Sequence, residues 1–208
     1  MGLSSLINSS VSVVADTSAV INLNASGFGP AILRALPNPF VITDVVLDEL
    51  REDTRSGRND AELVALLIKD HLITIASIDA LKGDDFERLV SGGAATTLDD
   101  GEAATIAYAS ENGMVAIVDE RKANQICQTR YADMLVGSTM DLFAHPNVES
   151  ALGKQVLADA VHSALVGARM RVLPKYLEWT VELVGADRAQ LCESLPKHIR
   201  RHGNAVKS

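Results

Sequence analysis

Short apolar runs recur along the first two thirds of the chain: VSVVA (11–15), PFVIT (39–43), LITIA (72–76), MVAIV (114–118) and a weaker MLVG (134–137). None alternates apolar with polar positions, which is the pattern of strands covered on both faces, as in a parallel sheet. Helical patterns lie between them. TSAVINL opens one straight after the first run, DVVLDELRED follows the second, and 59–70, 99–111 and 120–132 carry three more. Strand and helix in alternation predict a doubly wound α/β domain.

The pattern changes beyond residue 145. After His145-Pro146, the apolar positions Leu152, Val156, Leu157, Ala160, Val161, Ala164, Leu165 and Ala168 predict one face of a long helix. Pro174 suits the first turn of another, carrying Leu177, Val181 and Val184. The expected organisation is therefore an α/β domain over 1–145 and a helical extension over 146–208. The apolar faces of the extension predict packing on the first domain or self-association.

Composition narrows the class. The 208 residues hold 19 Lys and Arg against 27 Asp and Glu, a net charge of −8, which argues against a nucleic-acid binder on total charge. The charge is unevenly placed, however: 1–145 carry 10 basic and 21 acidic residues, and 146–208 carry 9 and 6. Cys127 and Cys192 stand far apart and in no CxxC pair, which excludes a disulfide framework and a thiolate zinc site. They read as small apolar residues in a reducing compartment. MGLSSLINSS lacks a basic segment and an apolar run, and Leu6 stands where a myristoylation site wants Ser or Thr. The expectation is a soluble, cytoplasmic protein with no membrane partner.

In an open α/β sheet, ligands bind beyond the carboxyl ends of the strands. Asp16 follows VSVVA directly and Asp119 follows MVAIV directly. Glu49 lies in the helix after PFVIT, three and four residues beyond Val46 and Val45, so it leans toward the sheet. Asp48 instead shares a solvated face with Asp44, Arg51 and Glu52. Glu102 lies in the first turn of the helix before MVAIV, on the side of Ile106 and Ala109. Helix capping accounts for Asp16, Asp119 and the Asp99/Glu102 pair taken singly. It does not account for Glu49, nor for four acids at one sheet edge. Such crowding raises carboxyl pKa values unless a cation compensates. Oxygen donors without His or Cys select a hard ion, Mg2+ or Mn2+.

These segments resemble the PIN-domain nucleases. VVADTSAVINL (13–23), Glu49 in VVLDELR, GEAATIAYA (101–109) and Asp119 in AIVDERKAN match the family's acidic motifs in order, and Val136-Gly137-Ser138 resembles a final strand and turn. The Gly-Glu third motif resembles one prokaryotic subgroup of VapC-like ribonucleases. Glu120 adjoins Asp119, but Asp119 ends the strand directly, whereas Glu120 reads as a first-turn helix charge, and Asp100 reads as cap or surface. The resemblance covers about 11–145. It implies a three-layer sandwich around a parallel sheet of about five strands. It also implies a ribonuclease whose metal and catalytic set is Asp16, Glu49, Glu102 and Asp119, supported by Thr17 or Ser18 orienting the first Asp. Many prokaryotic relatives are VapC-like toxins held by a cognate antitoxin, and relatives are often dimers.

An acidic metal site requires that RNA be gripped elsewhere. Arg51, Arg55 and Arg58 share a face if their helix continues that far, and Arg121, Lys122 and the basic C-terminal arm are further candidate RNA contacts. Three other readings compete. A receiver-type signalling domain wants an acidic pair after the first strand and a Lys after the last, where Ala15-Asp16 and Gly137 stand here. A haloacid-dehalogenase-type phosphatase wants Asp-x-Asp, and Asp16-Thr17-Ser18 lacks the second acid. A PIN-like fold that binds RNA or protein without cutting is the alternative, and the presence of all four acids argues against it.

Overall fold

Val13, Val14 and Ala15 are wholly buried and form the central strand of a sheet. The computed structural model describes Leu6 and residues 11–52, 59–93 and 96–201. Five strands pair in parallel: β1 (Val13–Ala15), β2 (Phe40–Thr43), β3 (Thr74–Ala76), β4 (Val115–Ile117) and β5 (Val136–Gly137). Their spatial order is β3-β2-β1-β4-β5. β1, β2 and β4 are buried throughout, as the unalternated apolar runs predict, while Thr74 and Ile75 of the edge strand β3 are exposed.

The helices of the sheet region are α1 (Thr17–Ala25), α2 (Gly29–Ala35), α3 (Asp44–Glu52), α4 (Asp60–Lys69), α5 (Asp85–Val90), α6 (Asp100–Asn112) and α7 (Arg121–Arg130). The chain runs outward from β1 through β2 to β3, then returns to place β4 on the other side of β1. The order of travel therefore reverses between β1 and β4, and the crevice beyond their carboxyl ends is where such sheets bind ligands. Ala15 is in register with Ile117, so Asp16 and Asp119 leave neighbouring strands side by side.

α6 is the helix that positions the site. Gly101 through Ala107 are all buried in it, and it packs on α3, α5 and β4. Asp99 caps its start, its carboxylate accepting the Glu102 N–H at 2.9 Å. Gly113 ends it in the left-handed conformation at φ 63°, where a side chain is disfavoured. Leu89, Ile106, Val118, Ile126 and Cys127 form a core cluster around α5, α6 and α7, which confirms the buried setting of Cys127.

Thr139 opens α8 (Thr139–Phe143), followed by α9 (Pro146–Leu152), α10 (Lys154–Gly167), α11 (Leu177–Val184), α12 (Ala186–Leu191) and α13 (Lys197–Arg201). The expected single helix starting at Leu152 is instead broken: Leu152 ends α9, Gly153 takes φ 76°, and α10 begins at Lys154. Pro174 opens a 3-10 turn that runs straight into α11. The chain divides into two units: one of the described residues of 8–20 and 37–139, the other of those of 1–7, 21–36 and 140–208. In the second, α2 packs on α9 and α10 on α11. His145 caps α9, its Nδ1 accepting the Asn147 N–H at 3.1 Å while Nε2 meets the Leu6 carbonyl at 2.9 Å. No helix among the described residues is long and apolar enough to cross a membrane.

Candidate metal centre

Asp16 is 1 % exposed at the carboxyl end of β1. It caps α1, accepting the Ala19 N–H at 2.7 Å, and the Ser18 hydroxyl lies 3.0 Å from both carboxylate oxygens. Burial, and then the charge of Asp119, pushes its carboxyl up to about 8, against the pull of these donors and of the Asp119 N–H. Two anions this close cannot both ionise freely without a counter-charge.

Asp119 is 5 % exposed and does not cap the helix that follows it. The capping position of α7 falls on Glu120, whose side chain makes no capping bond. Asp119 is held from the other direction: the Thr139 N–H donates to Oδ1 at 2.8 Å and the Thr139 hydroxyl to Oδ2 at 2.5 Å. Nothing in the chain pattern before residue 139 signals this partner, because the bond depends on β5 lying next to β4.

Glu102, 7 % exposed, is also pushed up to about 8, by burial first and then by Asp99, Glu120 and Asp16. Carboxylate oxygens of Asp99, Glu102 and Glu120 all lie within 4.8 Å of one another. Glu102 thus joins two groups of acids, one with Asp16 and one with Asp99 and Glu120. Asp99 and Glu120 are additions to the set read from the chain, where both were explained as helix-start charges. The spacing Asp99-x-x-Glu102 and the adjacency of Glu120 to Asp119 were their only signals.

Glu49 leans inward from α3 while Asp48 is exposed, as the helical spacing predicts. Its Oε1 accepts the Gly101 N–H at 2.7 Å and its Oε2 accepts the Thr17 hydroxyl. Burial pushes its carboxyl up, opposed by these two bonds and reinforced by Asp99 and Asp100. Of the two hydroxyls after Asp16, then, Ser18 bonds Asp16 as expected, and Thr17 bonds Glu49 instead.

The donor set suits a hard divalent cation. All groups brought together are carboxylates, three of them less than a tenth exposed, and the raised carboxyls of Asp16 and Glu102 mark a deficit of positive charge. The nearest thiol does not compete: burial and the Glu102 charge push Cys127 up to about 12, so it stays protonated. Lys122 is half-buried and its charge acts on Asp99. Arg121 is exposed, and Arg51 is exposed and pairs with Asp48 at 2.9 Å, a contact of small energetic weight. Arg55 and Arg58 lie outside the described residues.

Against family models, residues 12–134 match DUF3368, a PIN domain. No curated protein and no solved structure matches the chain.

Proposed function

The chain belongs to the PIN-domain family, and on that premise we propose that it is a cytoplasmic endoribonuclease dependent on Mg2+ or Mn2+. The observation that supports the reading is a concentration of acids where the sheet reverses its order of travel: Asp16 and Asp119 follow neighbouring strands, and oxygens of Asp99, Glu102 and Glu120 lie within 4.8 Å of one another. Residues 1–145 would form the nuclease part and 146–208 a helical extension ending in a basic tail.

Asp16, Glu102 and Asp119 would hold the ion, with Glu49, Asp99 and Glu120 completing the negative field around it. When bound, such an ion lowers the pKa of a water and stabilises charge on the leaving oxygen of a phosphodiester. The chain's own part is geometric. Ser18 and the Ala19 N–H fix the rotation of the Asp16 carboxylate, and Thr139 fixes that of Asp119. Both carboxylates therefore meet a ligand already oriented. Arg51, Arg55, Arg121 and Lys122 are proposed to contact the RNA backbone.

The substrate class, RNA, and a role as the toxin of a toxin–antitoxin pair acting as a dimer extend the same reading. Cleavage of a mixed RNA pool with Mn2+, with and without EDTA, tests the activity. Metal-dependent cutting that is lost in Asp16→Asn supports it, and cutting that survives EDTA or the substitution contradicts it. Co-expression with the product of the adjacent reading frame tests the antitoxin: relief of growth arrest supports the pairing.

A further inference from the structure

Glu49 differs from the other acids in what its oxygens touch. Asp16 takes its donors from the start of α1 and Asp119 from Thr139 after β5, whereas Glu49 bridges two separate helix starts. One oxygen accepts the N–H of Gly101, the second residue of α6, and the other accepts the hydroxyl of Thr17, the first residue of α1. Among the described residues, the acids whose oxygens gather within 4.8 Å of one another are Asp99, Glu102 and Glu120, a set that includes none of Glu49, Asp16 and Asp119. The contact with α6 is also sterically closed. A β-carbon at residue 101 would stand 2.8 Å from Glu49 Cδ and 2.8 Å from Thr17 Oγ1, and nearer still to Glu49 Oε2. Only glycine lets the carboxylate reach the first turn of α6. The next residue is Glu102.

We propose that Glu49 is a positioning residue: by tying Gly101 to Thr17 it sets Glu102 beside Asp16, and residue 101 is glycine to allow the tie. This rests on the metal-dependent reading above and assigns Glu49 a role through Glu102 rather than as a ligand. The alternative, direct ligation, makes the negative charge of Glu49 indispensable. Positioning requires only an acceptor for the Gly101 N–H and a partner for the Thr17 hydroxyl, and a glutamine amide supplies both.

The test is Mn2+ affinity of the full chain, measured by titration calorimetry and by the electron paramagnetic resonance signal of free Mn2+, with thermal melting as the check on folding. Glu49→Gln should bind Mn2+ within about fivefold of the parent, the scale of one screened charge. Glu49→Ala and Gly101→Ala should each lose about tenfold or more, as when the support of a metal ligand is removed. If Gly101→Ala fails to fold, Thr17→Val cuts the same tie without crowding and should weaken binding in the same direction. A loss in Glu49→Gln as large as that in Asp16→Asn overturns the positioning role, as does unchanged affinity in Gly101→Ala or Thr17→Val. Asp16→Asn and Asp119→Asn separate the two levels: full Mn2+ affinity in both contradicts the metal site itself. Loss in both together with loss in Glu49→Gln contradicts positioning alone.

Discussion

Thr139 gives both of its donors to Asp119, the backbone N–H at 2.8 Å and the hydroxyl at 2.5 Å. The two residues lie 20 positions apart, and the contact helps to fix a buried carboxylate whose charge acts on Asp16. It also supplies an acceptor for an N–H at the start of α8, which has no carbonyl of its own helix to bond.

Removing the hydroxyl while keeping the shape isolates that contribution. Thr139→Val should destabilise the chain by about 1–2 kcal/mol, because a buried carboxylate loses one of its hydrogen bonds. It should also weaken Mn2+ binding about tenfold through the freed carboxylate. Urea unfolding and metal titration read the two effects. Unchanged stability and unchanged affinity would show that the hydroxyl does not hold Asp119.

The acid centre also sets a dependence on pH. Asp16 and Glu102 hold their protons up to about 8 in the folded chain, whereas unfolded carboxyls ionise near 4. Between those values the folded state binds more protons than the unfolded one, so stability falls as pH rises through that window. In EDTA the melting temperature should therefore drop from pH 5 to pH 8. Saturating Mn2+ should flatten or reverse that slope, because the cation replaces the protons held on Asp16 and Glu102. A melting temperature that rises from pH 5 to pH 8 in EDTA would contradict the raised carboxyls.

Proton release follows from the same arrangement. At pH 7, Mn2+ binding should expel on the order of one proton or more, since carboxylates must be ionised to ligate. Calorimetry in buffers of different ionisation enthalpy counts the protons. Heats that do not vary with the buffer would mean that the acids are already ionised.

The helical unit holds its own buried charge. Asp141 is fully buried, accepting the Tyr176 hydroxyl at 2.6 Å and facing Lys175 Nζ at 3.2 Å. Burial and the Asp141 carboxylate push the Tyr176 hydroxyl far up, so it remains a donor. Tyr176→Phe should cost about 1.5–3 kcal/mol, the range for a hydrogen bond to a charged group. Denaturant unfolding measures it, and a cost near zero would mean that the other partners of the carboxylate satisfy it without the Tyr176 hydroxyl.

How much of this could be read in the chain depends on how local each cause is. The strands were legible because a sheet buried on both faces leaves runs without polar alternation, and VSVVA and MVAIV carry that mark. Asp16 and Asp119 were legible because they end those runs. Glu49 was separable from Asp48 by helical spacing alone. α2 was hidden, because Gly27, Gly29 and Pro30 read as loop and helix starts tolerate proline. The break at Gly153 was masked by apolar positions that keep their spacing across it. Asp99 and Glu120 joining Glu102, Thr139 reaching Asp119, and the need for glycine at 101 arise from packing between distant segments, and no single stretch displays them.

The central claim, that carboxylates from β1, α6 and β4 share one divalent cation, is tested most directly by anomalous diffraction from crystals grown with Mn2+. The account predicts a manganese peak contacted by Asp16, Glu102 and Asp119 in the parent, and its loss in Asp16→Asn with the fold unchanged. No peak there in the parent at saturating Mn2+, or the same peak in Asp16→Asn, would contradict it.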